Sequence, residues 1–76
     1  MIRTQWHKKT DKITGEIIRE LREKQKLTRK YMATMLGIDP RTYARIERGE
    51  ARLTLAEVKG IVMFFKINSD VLFPYL

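Results

Sequence analysis

Several short stretches of the chain have apolar residues every three or four positions, and each stretch ends at a glycine, a proline or a polar run. This spacing places the apolar side chains on one face of a helix. The pattern predicts an all-α fold with five helices and no strand. The expected helices cover residues 13–25, 28–36, 39–48 and 54–66, followed by a last short turn at 69–72.

A very short turn joins the second and third of these helices. Thr28 is suited to cap the second helix, because its side chain can accept a bond from a free amide of the first turn. Gly37 can close that helix in a left-handed conformation, and Asp39 and Pro40 then form the next start signal. Gly49 closes the third helix in the same way. Two short helices joined so tightly predict a helix–turn–helix unit.

The third helix, at about residues 39–48, has an inward and an outward face. At about 100° per residue, Tyr43 and Ile46 turn inward. The outer face carries three arginines at positions i, i+4 and i+7: Arg41, Arg45 and Arg48. Arginine suits phosphates and guanine edges because its planar fork donates two parallel hydrogen bonds. An ordinary solvated face is the alternative, but the place of these arginines on the second helix of the motif favours contact with DNA.

The fourth helix begins at a capping box formed by Thr54 and Glu57. Its expected inner face consists of Leu55, Val58, Ile61, Val62 and Phe65. Gly60 lies within the helix, where it costs about 1 kcal/mol relative to alanine. We attribute the presence of a glycine there to the close passage of another backbone. Ser69 is expected to cap the last turn.

Four apolar residues near the end of the chain are not needed for these inner faces: Phe64, Phe73, Tyr75 and Leu76. Apolar residues gathered at one end of a small domain can mark an interface. Packing of the tail on its own chain explains them equally well, and both interpretations stay open.

Residues 1–12 form a basic segment without clear periodicity, which we expect to be an arm before a single domain at 13–76. Basic arms can lie along phosphates or enter the minor groove. A solvated leader with Trp6 packed on the body is the favoured expectation. His7 is the only histidine and has no cysteine, acidic pair or second histidine nearby, so neither a metal site nor a catalytic role is expected.

The 76 residues carry 16 Lys plus Arg against nine Asp plus Glu, for a net charge of +7. So basic a chain attracts polyanions, and a pI of about 10.1 is one expected mark of nucleic-acid binding. Charge kept for solubility, an acidic protein partner or an anionic membrane surface would also fit. The chain has no cysteine and no apolar run of about 20 residues, so we expect a cytoplasmic protein with no cofactor.

Together, these residues resemble the helix–turn–helix domain of the Cro/phage-repressor type, also called XRE-like, over about residues 17–73. The matching segments are Leu21-Arg22, Leu27-Thr28, Met32-Ala33, Leu36-Gly37 and Ile46-Glu47-Arg48-Gly49, followed by the apolar spacing of the fourth helix. The resemblance implies a five-helix bundle of the lambda-repressor-like type. Its third helix would enter the major groove and its second would cross the DNA backbone.

The resemblance also implies roles for single residues. The residues at base-contacting positions are Pro40, Arg41 and Arg45, and those at phosphate-contacting positions or suited to phosphate contact are Thr28, Arg29, Thr42, Arg48 and Arg52. Arg22 and Glu47 match a pair that bridges the first and third helices in some members. Four positions depart from the family pattern. Arg29 stands where many members have glutamine, Pro40 cannot donate a side-chain hydrogen bond, Leu53 replaces a loop proline and Lys66 replaces a glycine.

The sequence therefore predicts a sequence-specific regulator that binds double-stranded DNA, as a homodimer on a roughly palindromic operator. The alternative is an antitoxin-like module that binds a partner protein such as a toxin and regulates its own promoter. An enzyme is not expected, because the chain has no plausible carboxylate pair, no Ser/His/Asp set and no glycine-rich phosphate loop.

Overall fold

A computed structural model describes the backbone of residues 2–76 and the side chains of residues 9–76. Its helices are α1 (Ile2–Lys24), α2 (Arg29–Leu36), α3 (Pro40–Glu47), α4 (Leu55–Phe65) and α5 (Ser69–Leu72), and this part of the chain has no strand. The predicted all-α fold with five helices is confirmed. None of the described helices is long and apolar enough to cross a membrane.

The first helix is longer than expected. It begins at Ile2 rather than near residue 13, so the predicted start of this helix is wrong, while a role for residues 1–12 as a basic arm stays a prediction. That segment has no glycine or proline, and extending an existing helix by one residue costs far less than nucleating a new one. The predicted packing of Trp6 and the side chain of His7 lie outside the described residues.

The expected caps explain where the middle helices begin. The side chains of Thr28, Asp39 and Thr54 accept bonds from backbone amides of the first turn, and Thr54 with Glu57 forms the complete capping box. At the last helix the expectation is wrong: Asn68 is the N-cap, without a side-chain bond, and Ser69 is already helical. A single short turn leaves little sequence signal for its first residue.

The helix ends depend on left-handed residues. Gly37 and Gly49 have φ of 70° and 78°, as expected of glycines that close helices. Lys66 takes the same conformation at the end of α4, with φ of 56°, at the position where the resemblance led us to expect glycine. Lys66 therefore ends α4 in a left-handed conformation without a glycine.

Each helix contributes to one buried core. The fully or almost fully buried hydrophobic residues are Ile18, Met32, Ala33, Tyr43, Ile46, Ile61 and Leu72. Helix α3 packs against both α1 and α2, while α5 packs on α1 and α4 on α2. Helix α1 thus supports α3 and α4 supports α2, while α5 packs on α1.

Leu55 does not belong to this core. It was expected on the inner face of α4 but is 84% exposed. A helical side chain covers the turn on the N-terminal side of its own Cα. As the first residue of α4, Leu55 has no such turn to cover, and its side chain extends into solvent.

Helices α1 and α3 cross so closely that the crossing has no room for a side chain. A Cβ added to Gly15 would lie 2.6 Å from the carbonyl oxygen of Glu47 and would also collide with the carbonyl oxygen of Ile46. Gly60 is different from what we expected: a Cβ there would meet a side-chain methyl of Leu36 at 2.9 Å, and not a backbone.

The two helical glycines give a matched test of this crossing. Gly15→Ala should lower the free energy of unfolding by about 1–3 kcal/mol, because backbone atoms must move to admit the methyl group. Gly60→Ala brings the same gain in helix propensity of about 1 kcal/mol and meets only the end of a flexible side chain. Urea unfolding of both variants measures the difference. Equal stability of the two would contradict the close crossing.

Candidate nucleic-acid interface

The start of α3 determines where its first arginine lies. Asp39 caps the helix by accepting a hydrogen bond of 2.7 Å from the backbone amide of Arg41, and Pro40 is the first helical residue. The side chains of Pro40 and Arg41 are exposed in the first turn. Within residues 9–76, the guanidinium of Arg41 has no hydrogen bond or ion pair. It is therefore available to a ligand.

The two faces of α3 agree with the predicted spacing. Tyr43, Ile46 and Glu47 are buried, whereas Arg45 and Arg48, like Arg41, are exposed. Thr42, expected near the phosphates, is half-buried. Arg45 donates a hydrogen bond of 3.3 Å from Nη2 to the carbonyl oxygen of Glu50. The outward face of α3 thus carries a row of three guanidinium groups, and its inward face is buried.

The carboxylate of Glu47 lies at the centre of the contacts made by this inward face, and its side chain is only 2% exposed. Arg22 donates to it from Nε at 2.7 Å and from Nη2 at 3.2 Å, so the ion pair that the resemblance implies is present in the structure. The Tyr43 hydroxyl donates at 2.5 Å and Arg29 Nε at 3.2 Å. Arg22 also donates to the carbonyl oxygen of Leu27 at 2.8 Å. Four groups from α1, α2 and α3 therefore share one buried cluster.

The cluster shifts the pKa values of its members. Burial by itself raises the pKa of Glu47, but the hydrogen bonds from Arg22 and Tyr43 and the charge of Arg22 outweigh it, so the pKa is lowered. Burial and the bond to Glu47 raise the pKa of Tyr43. At neutral pH the carboxylate is charged and the hydroxyl stays protonated as its donor.

The N-terminus of α2 lies beside this cluster. Thr28 is exposed, and its hydroxyl accepts a hydrogen bond of 3.0 Å from the backbone amide of Tyr31. Arg29 follows as the first helical residue, and half of its side chain is exposed although it reaches Glu47. Arg29 thus touches both the buried cluster and solvent.

Two further arginines expected at phosphates have carboxylate partners that the sequence analysis missed. Arg48 pairs with Glu50 at 3.1 Å, and Arg52 lies 3.6 Å from a carboxylate oxygen of Asp11. The spacing of Arg48 and Glu50 was a signal for the first pair. The second could not be predicted, because residues 1–12 were not expected to lie in α1.

Three of the four apolar residues near the end of the chain pack on their own chain. The hydroxyl groups of Tyr75 and Thr14 lie 2.6 Å apart, and Thr14 also donates to the carbonyl oxygen of Leu72 at 2.8 Å. Phe73 stacks edge-on against Tyr75, and Phe64 packs in the same way on Phe65. Leu76 remains 87% exposed. Packing on the same chain therefore explains three of the four residues, and an interface role for any of them stays a prediction.

Other site chemistry is not found in the described residues. Among them, no group of three or more His, Cys, Asp or Glu side chains is placed to hold a metal ion. Every buried side-chain nitrogen or oxygen in this part of the chain has a hydrogen-bond partner. The row of exposed arginines on α3 is thus the strongest candidate site among the described residues.

Comparison with known proteins relates this geometry to a family. The family model described as helix-turn-helix matches residues 18–72, which is most of the chain. Among solved structures, the restriction-modification controller protein C.AhdI from Aeromonas hydrophila is similar, with a TM-score of 0.74 and 25% identity. That alignment covers 83% of this chain and 96% of the controller protein. No curated protein sequence matches significantly.

Loss of the ion pair should be costly. Arg22→Ala leaves the Glu47 carboxylate buried with fewer donors, and we expect the free energy of unfolding to fall by about 3–5 kcal/mol. Arg19→Ala is the matched control, because Arg19 and Glu23 form an exposed pair in α1 worth about 0.5 kcal/mol or less. Urea unfolding measures both. Similar small losses in the two variants would show that the buried pair contributes no more than a surface pair.

The same cluster predicts a dependence of stability on pH. Since the pKa of Glu47 is lowered from 4.5 on folding, its contribution is present above that pH and is lost as the pH falls through the folded-state pKa. Urea unfolding between neutral and acidic pH should show this loss in the native chain and a shallower one in Glu47→Gln. Glu20→Gln, which removes an exposed carboxylate, serves as the control. Parallel curves for the native chain and Glu47→Gln would contradict the assignment.

Proposed function

This chain belongs to the XRE-type helix-turn-helix family and is a DNA-binding transcriptional regulator, and we propose that α3 enters the major groove of its operator. Helix α2 then lies across the DNA backbone. The observation that carries the proposal is the exposure of Arg41 and Arg45 on one face of α3, whose opposite face is buried through Tyr43, Ile46 and Glu47.

Arg41 and Arg45 read bases in this proposal. A guanidinium can donate two hydrogen bonds to the O6 and N7 atoms of guanine, and each good pair is worth about 1–3 kcal/mol of discrimination. The side chain of Arg41 needs no rearrangement, since nothing in the described chain holds it. Arg45 gives up one bond of 3.3 Å to a backbone carbonyl. Pro40 contributes only apolar contact.

Phosphate contacts come from the residues around α3. In this proposal they are Thr28, Arg29, Thr42, Arg48 and Arg52. Arg29 is the best placed of them, because Glu47 keeps the bonds from Arg22 and Tyr43 when Arg29 turns to a phosphate. These contacts supply salt-sensitive affinity that does not depend on sequence.

We further propose that two copies bind a roughly palindromic operator, with recognition helices about 34 Å apart, one turn of B-DNA. The apolar surface at α5 supports association: Val71 is 41% exposed and Leu76 is 87% exposed. Ile17 and Leu21 of α1 line a groove beside Val71. The similarity to a restriction-modification controller supports a more specific form of this function, the control of restriction-modification genes. We place this activity in the cytoplasm.

Selection of binding sites from random duplex DNA tests the function. We expect an enriched half-site rich in guanine and repeated in inverted orientation at a fixed spacing. Footprinting on the selected operator should then protect two successive major-groove segments on one face of the duplex. Recovery of no enriched sequence would contradict sequence-specific binding.

Two variants separate base reading from phosphate contact. Arg41→Ala should weaken operator binding by about 1–3 kcal/mol while leaving binding to random DNA almost unchanged. Arg29→Ala should weaken both alike and reduce the salt slope of binding by about 1. Fluorescence anisotropy at several salt concentrations measures these values.

Lys59→Ala is the control for loss of one positive charge, since Lys59 is exposed on α4 and has no role in the proposed interface. It should have a much smaller effect on either DNA. Equal losses on operator and random DNA for both Arg41→Ala and Arg29→Ala would refute the division of roles.

A further inference from the structure

The proposed function gives no role to Glu50, although this residue contacts two arginines of the exposed face of α3. Its position is fixed by the end of the helix. Gly49 is left-handed, the Gly49 amide donates to the carbonyl oxygen of Ile46 at 3.1 Å, and the Glu50 amide donates to that of Arg45 at 2.8 Å. This paired ending is a Schellman motif, so Glu50 is held beside α3 by backbone hydrogen bonds.

The side chain of Glu50 is engaged with Arg48 through two hydrogen bonds. Arg48 donates from Nε to Oε2 at 3.1 Å and from Nη2 to Oε1 at 3.2 Å. Both side chains are about half exposed, at 55% and 54%. The fork of Arg48 thus binds a carboxylate in the same two-bond geometry that it would use for a phosphate.

This pair differs from the contact between Arg29 and Glu47. Glu47 retains donors when Arg29 leaves, whereas within the described residues the Glu50 carboxylate has hydrogen bonds from Arg48 alone. Arg29 and Arg48 line one groove between α1 and the ends of α2 and α3, with Glu47 and Glu50. A phosphate that approaches Arg29 therefore meets an Arg48 that is already bound.

We propose that Glu50 limits the affinity of this protein for DNA, because its carboxylate competes with the DNA phosphate for Arg48. The proposal rests on the proposed function and adds a residue that acts against binding. Since phosphate contacts carry no sequence information, Glu50 lowers the affinity for operator and random DNA by the same factor and leaves the ratio between them unchanged. It sets how tightly the regulator holds DNA without changing which sequence it holds.

Glu50→Gln tests the proposal, because the glutamine keeps the main-chain oxygen that Arg45 contacts and removes only the charge. We expect it to bind both the selected operator and a mixed-sequence duplex of equal length about two- to fivefold more tightly. The plot of log affinity against log salt should become steeper by about 0.9, the value for one added phosphate contact. Fluorescence anisotropy across a salt series gives both quantities.

A double-mutant cycle shows whether Arg48 is the group released. In an Arg48→Gln background, Glu50→Gln should give no more gain than Glu20→Gln gives in the native chain. Glu20→Gln is the matched control for net charge, since Glu20 is an exposed carboxylate on α1, and it should give a smaller gain than Glu50→Gln. Thermal unfolding of each variant establishes that it is folded before binding is measured.

The outcomes separate this inference from the proposed function. Tighter binding by Glu50→Gln that falls to the Glu20→Gln level in the Arg48→Gln background supports it. Unchanged or weaker binding by Glu50→Gln, or a gain of the same size without Arg48, overturns it while the roles of Arg41 and Arg45 stand. Failure of the native chain to prefer any duplex overturns the proposed function and this inference with it.

Discussion

The buried carboxylate of Glu47 is the group on which the rest of the structure depends. It lies near the C-terminal end of α3 and accepts hydrogen bonds from Arg22 of α1, Tyr43 of α3 and Arg29 of α2. A buried charge is costly unless it is paired and hydrogen-bonded. The donors to Glu47 come from α1, α2 and α3, the three helices that its burial holds together. The fold therefore satisfies this charge only when the three helices have their native arrangement.

The same arrangement makes α3 a rigid support for its outer face. Gly15 lets the backbone of α1 reach the carbonyl oxygens at the end of α3, and the inward side chains of Tyr43 and Ile46 are buried. Sequence readout needs donors at fixed positions relative to the base edges, and mobile donors would lose discrimination. The buried side of α3 thus serves the exposed one: it positions Arg41 and Arg45.

The positive charge of the chain is not equally available. Composition suggests a uniformly basic surface, yet Arg48 is bound by Glu50, whereas the guanidinium of Arg41 has no partner in the described part of the chain. Only the arrangement in space distinguishes these arginines, because they are the same residue type at the two ends of α3. Net charge indicates the class of ligand, and local pairing decides which side chains can take part.

Local signals in the sequence determined the helix–turn–helix unit, its family and the inward and outward faces of α3, because caps, glycine ends and helical spacing act within a few residues. The resemblance also indicated that Arg22 and Glu47 pair. Tertiary structure decided the rest. The pairing of Arg52 with Asp11 and the bond between Thr14 and Tyr75 join residues far apart in the chain. Such contacts depend on how the helices cross, and local patterns of residues do not predict the crossing geometry.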